Sequence, residues 1–165
     1  RLVCGVQVIR VLAVDPGERV GWATATVWNE ALALDVRLDV TGHGIAYLKD
    51  AALQIYKAVV VEDRIDVLIY ETFILTHRGA KVMVGSDLQT AQLVGMCRLA
   101  AWLNPRVQLV PQGPAAMSSA DKSMRTHPSG AIIQEMISKL PKSHDESHDG
   151  SALRHLWTWF FDRHV

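Results

Sequence analysis

The chain has 165 residues, 49% of them hydrophobic and 21% charged. That composition excludes disorder, and no apolar run reaches the roughly 18 residues that a membrane span requires. Lysine plus arginine and aspartate plus glutamate each number 17, so the net charge of +0 gives no overall footprint for a polyanion. The distribution is uneven, however. Residues 72–142 hold eight basic side chains (Arg78, Lys81, Arg98, Arg106, Lys122, Arg125, Lys139, Lys142) against three acids (Asp87, Asp121, Glu135). The flanks are therefore acidic, and acids framed by a basic middle suit a site that takes metal and a polyanion together, although ordinary solvated faces give the same counts. Length favours one domain over residues 1–165. Cys4 and Cys97 form neither a disulfide framework nor a metal spacing, so the expected compartment is a reducing cytoplasm. Residues 1–10 are apolar but lack the cleavage pattern of a signal peptide.

Residues 8–14 read as a strand that ends at Asp15, where Pro16-Gly17 stops it. Residues 19–28 alternate, with Val20, Trp22, Thr24, Thr26 and Trp28 on one side. Residues 32–40 alternate again, with Leu32, Leu34, Val36, Leu38 and Val40 on one face. Period-two patterns joined by short turns predict antiparallel strands. Thr41-Gly42-His43-Gly44 reads as punctuation. A helical spacing follows over residues 45–62, carried by Leu48, Ala52, Ile55, Tyr56 and Val59.

The apolar run at residues 66–70 is too short for a helix and ends at Glu71; its return after a helix predicts a parallel crossover. A loop is expected over residues 72–85 and a helix over residues 87–103, stopped by Asn104-Pro105. Residues 107–110 are the fifth strand, ended by Pro111. Residues 112–130 suit a weak helix plus a mobile loop. Pro128 can open the next helix, Pro141 closes it, and a last helix spans residues 145–162. The sum is an α/β fold: a five-stranded mixed sheet, three antiparallel strands then parallel crossovers, flanked by helices.

In three places a carboxylate sits where a hydrophobic pattern should continue or has just ended. Asp15 and Glu71 close two strands expected to be parallel neighbours, which places them about 5 Å apart, where they repel unless a proton or cation intervenes. On the last helix, Leu153, Leu156, Trp157 and Phe160 form an i, i+3, i+4, i+7 stripe. Extending it backwards reaches Asp149 and Glu146, with Asp145 near the same face. First-turn acids also suit the helix dipole, and Ser143-x-x-Glu146 fits a capping box. Acids from three elements meeting at one edge suit hard divalent cations, and two such ions about 4 Å apart can cleave a phosphodiester without an organic cofactor or a side-chain nucleophile.

Other patterns carry less. His144 and His148 have a zinc-like i, i+4 spacing without a fitting third ligand. His148 or His155 could assist proton transfer or touch phosphate, with solvated histidines as the plainer reading. Asp15-Pro16-Gly17 with Gly21 could also be a phosphate-cradling turn of the actin-like kind, but no second phosphate loop follows.

Together, Asp15-Pro16-Gly17 after a first strand, an apolar strand ending in Glu71, and a late helix with Asp149 shortly before Ala152-Leu153 resemble the RuvC-type Holliday junction resolvases. The resemblance covers nearly the whole chain and implies the RNase H-like fold. It implies metal-binding, catalytic acids at Asp15, Glu71, Glu146 and Asp149, holding Mg²⁺ or Mn²⁺, two ions per site. Two departures stand out. Glu146 occupies a position where the family usually has Asp or His, which leaves Asp145 as its substitute. Gly150 and Ser151 also intervene before Ala152-Leu153. The resemblance further implies a homodimer that nicks branched, four-way DNA symmetrically. Arg78, Lys81, Lys122 and Arg125 are then candidates for phosphate contacts, and Phe73 for a wedge at the junction centre. Two alternatives remain open: a fold relative that processes pre-ribosomal RNA, and a catalytically silent DNA-binding or scaffolding dimer.

Overall fold

A computed structural model describes residues 2–3, 6–17, 19–30, 36–72, 88–141 and 148–165. Its strands form one mixed sheet. β1 (Leu2–Val3) makes a two-residue pairing with β2 (Val6–Asp15), which lies antiparallel to β3 (Arg19–Glu30). β4 (Val36–Tyr47) continues antiparallel on β3. On the other side of β2 come β5 (Val67–Glu71) and β6 (Gln108–Gln112), both parallel. The order β4-β3-β2-β5-β6 is the expected five-stranded mixed sheet, with β1 off its path.

Five α-helices lie among the described residues: α1 (Leu48–Tyr56), α2 (Gln89–Leu103), α3 (Ala115–Met124), α4 (Pro128–Ser138) and α5 (His148–His164). A π-helical turn, Lys57–Val61, extends α1. No described helix is long and apolar enough to cross a membrane.

Strand periodicity divides the core in two. On one face Val11, Ala13, Ala23, Ala25, Val27, Val67 and Ile69 pack with Leu153, Leu156, Trp157 and Phe160 of α5. On the other, Leu12, Val14, Val20, Leu68 and Tyr70 pack with Ile55 of α1 and Leu93, Val94 and Cys97 of α2. Each fully buried large apolar side chain contributes roughly 1.5–3 kcal/mol. Cys97 belongs to this second core. Burial pushes its thiol up to about 12, which keeps it protonated and inert. By the alternation of β2 and β5, Asp15 and Glu71 fall on the α5 face.

Several boundaries differ from the sequence expectation. Thr41 to Gly44 does not punctuate the chain, because β4 runs on to Tyr47. A register shift against Thr24 and Ala25 leaves Thr41 as an extra residue between Val40 and Gly42. That bulge reverses the alternation, so His43, opposite Ala23, shares the α5 face with Leu38 and Val40. Helix α1 therefore starts only at Leu48. Pro111 does not end β6, since an edge strand tolerates its missing N–H. Residues 115–124 form a regular helix rather than a weak one with a mobile loop, because Ala120 and Met124 are buried against α5. Pro128 opens α4 as expected, behind His127, whose ring nitrogen accepts from the Ser129 amide.

The β2–β5 register is fixed at the end remote from Asp15. Arg10 donates from Nε to Asp66 Oδ2 at 2.9 Å and from a terminal nitrogen to Oδ1 at 3.0 Å. The Arg10 amide also donates to Asp66 Oδ2, and the Asp66 amide returns a bond to the Arg10 carbonyl. Burial alone would raise the Asp66 pKa, but these bonds and the guanidinium charge overcome it and hold the carboxyl below its ordinary 3.8. Its stabilisation is therefore present above the unfolded value and lost as pH falls through the folded one. Asp66→Asn should lower stability by about 1.5–3 kcal/mol at neutral pH in urea titrations. The gap between wild type and variant should shrink on acidification below about pH 4; a constant gap would show that the ionised carboxylate is not what stabilises.

Candidate metal centre

Three strand ends stand level on the α5 side of the sheet. Val14 pairs with Tyr70 and Glu71 with Gln112, so Asp15, Glu71 and Gln112 form a row across β2, β5 and β6. Asp15 is 7% exposed and Glu71 half-buried. The Thr72 amide donates to the Gln112 carbonyl at 2.7 Å, which extends the pairing just past Glu71.

Helix α5 supplies what faces this row. Its expected stripe of Leu153, Leu156, Trp157 and Phe160 is entirely buried. The helix is also covered on its outer side, where Trp157 Nε1 donates to Ser123 Oγ of α3 at 2.8 Å and Ile133 of α4 joins the same core. A helix apolar on most of its circumference cannot shift without exposing core, so polar side chains on its sheet side are held in place. The approach of its first turn depends on Gly21, which pairs with Asp15 across β2 and β3. A Cβ at residue 21 would collide with the His148 carbonyl and lie 2.7 Å from the Asp149 amide nitrogen. Only glycine lets the helix start rest there.

Two histidines of α5 meet the two strand carboxylates. His148 Nδ1 lies 2.7 Å from Asp15 Oδ2, and His155 Nε2 lies 3.0 Å from Glu71 Oε2. His155 is fully buried, and its Nδ1 is 2.7 Å from Gln112 Oε1. Asp15, Glu71 and His155 each offer a ligand atom, and these atoms all lie within 4.8 Å of one another. Two carboxylates this close in a half-buried site repel each other. A divalent cation fits the donor chemistry, since carboxylate oxygens and an imidazole nitrogen are both good ligands for it.

Of the acids expected here, the structure brings Asp15 and Glu71 together. Asp149 is buried at 6% exposure in the first turn of α5, as its place on the stripe implied. Its carboxylate is engaged differently: Oδ1 accepts from the Gly150 amide at 2.8 Å and Oδ2 lies 3.5 Å from His43 Nδ1. The bulge at Thr41 is what aims His43 there. Glu146 and Asp145 lie outside the described residues, as do His144, Phe73, Arg78 and Lys81. Lys122 and Arg125 are exposed at the end of α3.

The plainer sequence reading of His155, a solvated histidine, does not hold. A signal against it exists: counting along the helix, His155 follows the buried Ala152 by three and precedes the buried Trp159 by four. An imidazole on such a face must find partners. His43 and Gln112 leave no comparable signal, because a bulge and a strand register place them.

No protein-family model matches the chain, and no curated protein matches it in sequence. Solved structures do match in shape. Thermus thermophilus RuvC in complex with a Holliday junction substrate superposes with a TM-score of 0.57 at 16% identity, covering 94% of this chain and 96% of that one. The yeast mitochondrial Holliday junction resolvase gives 0.57 at 13% identity, over 92% of this chain and 78% of that one. The fowlpox virus Holliday junction resolvase gives 0.54 at 9% identity, over 93% and 99%. The chain therefore has the fold of these Holliday junction resolvases, the RNase H-like fold expected from its sequence.

If Gly21 sets the seat of α5, Gly21→Ala should cost about 3 kcal/mol or more in denaturant unfolding, because the added methyl meets backbone. Gly95→Ala serves as the contrast. Gly95 lies inside α2, and a Cβ there would meet nothing within 4 Å, so alanine should stabilise by roughly 1 kcal/mol. Equal effects at both positions would remove the special role of Gly21.

Proposed function

We propose that the protein is a RuvC-type, structure-selective endodeoxyribonuclease that nicks four-way or other branched DNA with Mg²⁺ or Mn²⁺. The observation that carries this reading is the level placement of Asp15 and Glu71 on adjacent parallel strands, with His155 completing a group within 4.8 Å. The fold likeness to three junction resolvases supports it, two of them with structures solved on Holliday junction DNA.

In this reading Asp15 and Glu71 hold the cation, with Asp149 and either Glu146 or Asp145 completing the set for a second ion. Bound cations supply an activated water and stabilise the departing oxygen of a phosphodiester. The protein's own part is orientation. The Arg10–Asp66 clamp levels the carboxylates, and Gly21 seats the helix. Lys122 and Arg125, with Arg78 and Lys81 of the basic middle segment, are the proposed phosphate contacts that position the DNA. Phe73 is the proposed wedge.

A homodimer is part of the proposal. Helix α2 leaves Trp102 76% exposed beside Leu99 and Leu103, both 45% exposed, an apolar surface suited to a second copy. Two copies would place two such sites on strands of like polarity.

The deciding measurement is nicking of a synthetic four-way junction against linear duplex of the same sequence, with Mg²⁺. Junction-selective cutting is expected, with a loss of at least about a thousandfold in Asp15→Asn, the scale of losing metal-borne charge stabilisation. Equal cutting of both substrates would remove the junction claim and favour a general nuclease of the same fold. Junction binding without cutting would favour a silent scaffold, and unchanged activity in Asp15→Asn would sink the assigned site.

A further inference from the structure

We infer that His155 is itself a ligand of the metal centre, through Nε2, and that it biases the site towards Mn²⁺ over Mg²⁺. The inference rests on the reading of Asp15 and Glu71 as metal-binding residues. It adds an inward-facing side chain from the middle of α5, six residues beyond Asp149 and outside the four-acid set.

The argument begins with the hydrogen bonds of the buried ring. Gln112 Oε1 faces His155 Nδ1 at 2.7 Å, and an amide oxygen can only accept. Nδ1 is therefore the nitrogen placed to donate to a fixed side-chain oxygen. Nε2 is the nitrogen turned towards the carboxylates, 3.0 Å from Glu71 Oε2. A fully buried nitrogen beside a carboxylate oxygen is satisfied by a proton or by a metal cation between them, and Asp15 in the same group adds the second negative charge that favours the dication. The arrangement also matches how ligating histidines are held in general: one nitrogen on the metal, the other donating to a fixed oxygen that sets the tautomer.

Distance agrees with this. At 3.0 Å, Nε2 and Oε2 are close enough to be held by one ion. Asp15 lies within the same 4.8 Å group and supplies a third corner. Mg²⁺ is held by oxygen donors, whereas a site that includes a nitrogen favours first-row transition ions, of which Mn²⁺ is the first in the affinity order, and this is the origin of the selectivity. His148 makes a different contact: it is partly exposed, lies against Asp15, and is not one of the three grouped residues. It serves as the control.

The test uses the whole chain loaded with Mn²⁺ alone. Pulsed electron-paramagnetic-resonance spectra of the bound ion report a directly coordinated ¹⁴N, and a titration of free Mn²⁺ gives affinity. Wild type and His148→Gln should both show the nitrogen coupling. His155→Gln should lose it, bind Mn²⁺ about tenfold or more weakly, and bind Mg²⁺ (measured by competition) with a smaller change. Mn²⁺ binding that Asp15→Asn abolishes, but without nitrogen coupling in wild type, would overturn the His155 assignment and leave the metal centre standing. So would coupling lost in His148→Gln, a result that stands even if His155→Gln does not fold. Mn²⁺ binding absent from wild type, or unchanged in Asp15→Asn, would overturn the metal centre itself.

Discussion

The site depends on the pairing of Arg10 with Asp66. Parallel strands carry no turn to set their register, so something else must choose which residues end up level. Here the bidentate guanidinium–carboxylate contact, doubled by backbone bonds in both directions, locks the two strands at one end. From Arg10 to Asp15 is five residues, and from Asp66 to Glu71 is five residues. An equal count along two strands of equal rise delivers the two carboxylates side by side. A slip of one residue would stagger them by about 3.3 Å and send one to the opposite face.

What the clamp does for the sheet, two local irregularities do for the helix above it. Gly21 removes the Cβ that would hold the start of α5 away from β3. The extra residue Thr41 switches the alternation of β4 and brings His43 to the face where Asp149 lies. Neither feature strengthens the sheet: a glycine inside a strand and a bulge each weaken pairing. Their shared result is close approach of α5 to the strand ends. The rest of α5 offsets the loss through Leu153, Leu156, Trp157 and Phe160, all fully buried.

This division explains how much was legible in the sequence. The sheet, its mixed direction and the adjacency of Asp15 and Glu71 follow from periodicity and from two apolar runs that each stop at an acid. The buried stripe of α5 and the burial of Asp149 follow from i, i+3, i+4 counting. What counting along one element cannot give is a relation between elements that depends on a bulge or a rotamer. His43 is hidden for the first reason, since regular alternation would turn it away from α5. The orientation of Asp149 towards His43 and its own helix amide is hidden for the second. Gln112 needs the β5–β6 register, and Pro111 beside it argues against a strand at all unless that strand lies at a sheet edge. Residue 155 is a matter of weighting, as its helical position already predicts burial.

The polar groups at the strand ends also form a linked set. Asp15 meets His148, Glu71 meets His155, and His155 meets Gln112, so among the described residues each carboxylate faces an imidazole rather than a lysine or arginine. That choice matters physically. A permanent cation beside each carboxylate would neutralise the pair and remove its reason to recruit a metal ion, as the guanidinium of Arg10 does for Asp66. An imidazole carries no permanent charge, so it can stand beside a carboxylate and leave that charge available. The same β2–β5 pair thus carries a carboxylate satisfied by arginine at one end and two carboxylates close enough to share a cation at the other. The first builds the register, and the second uses it.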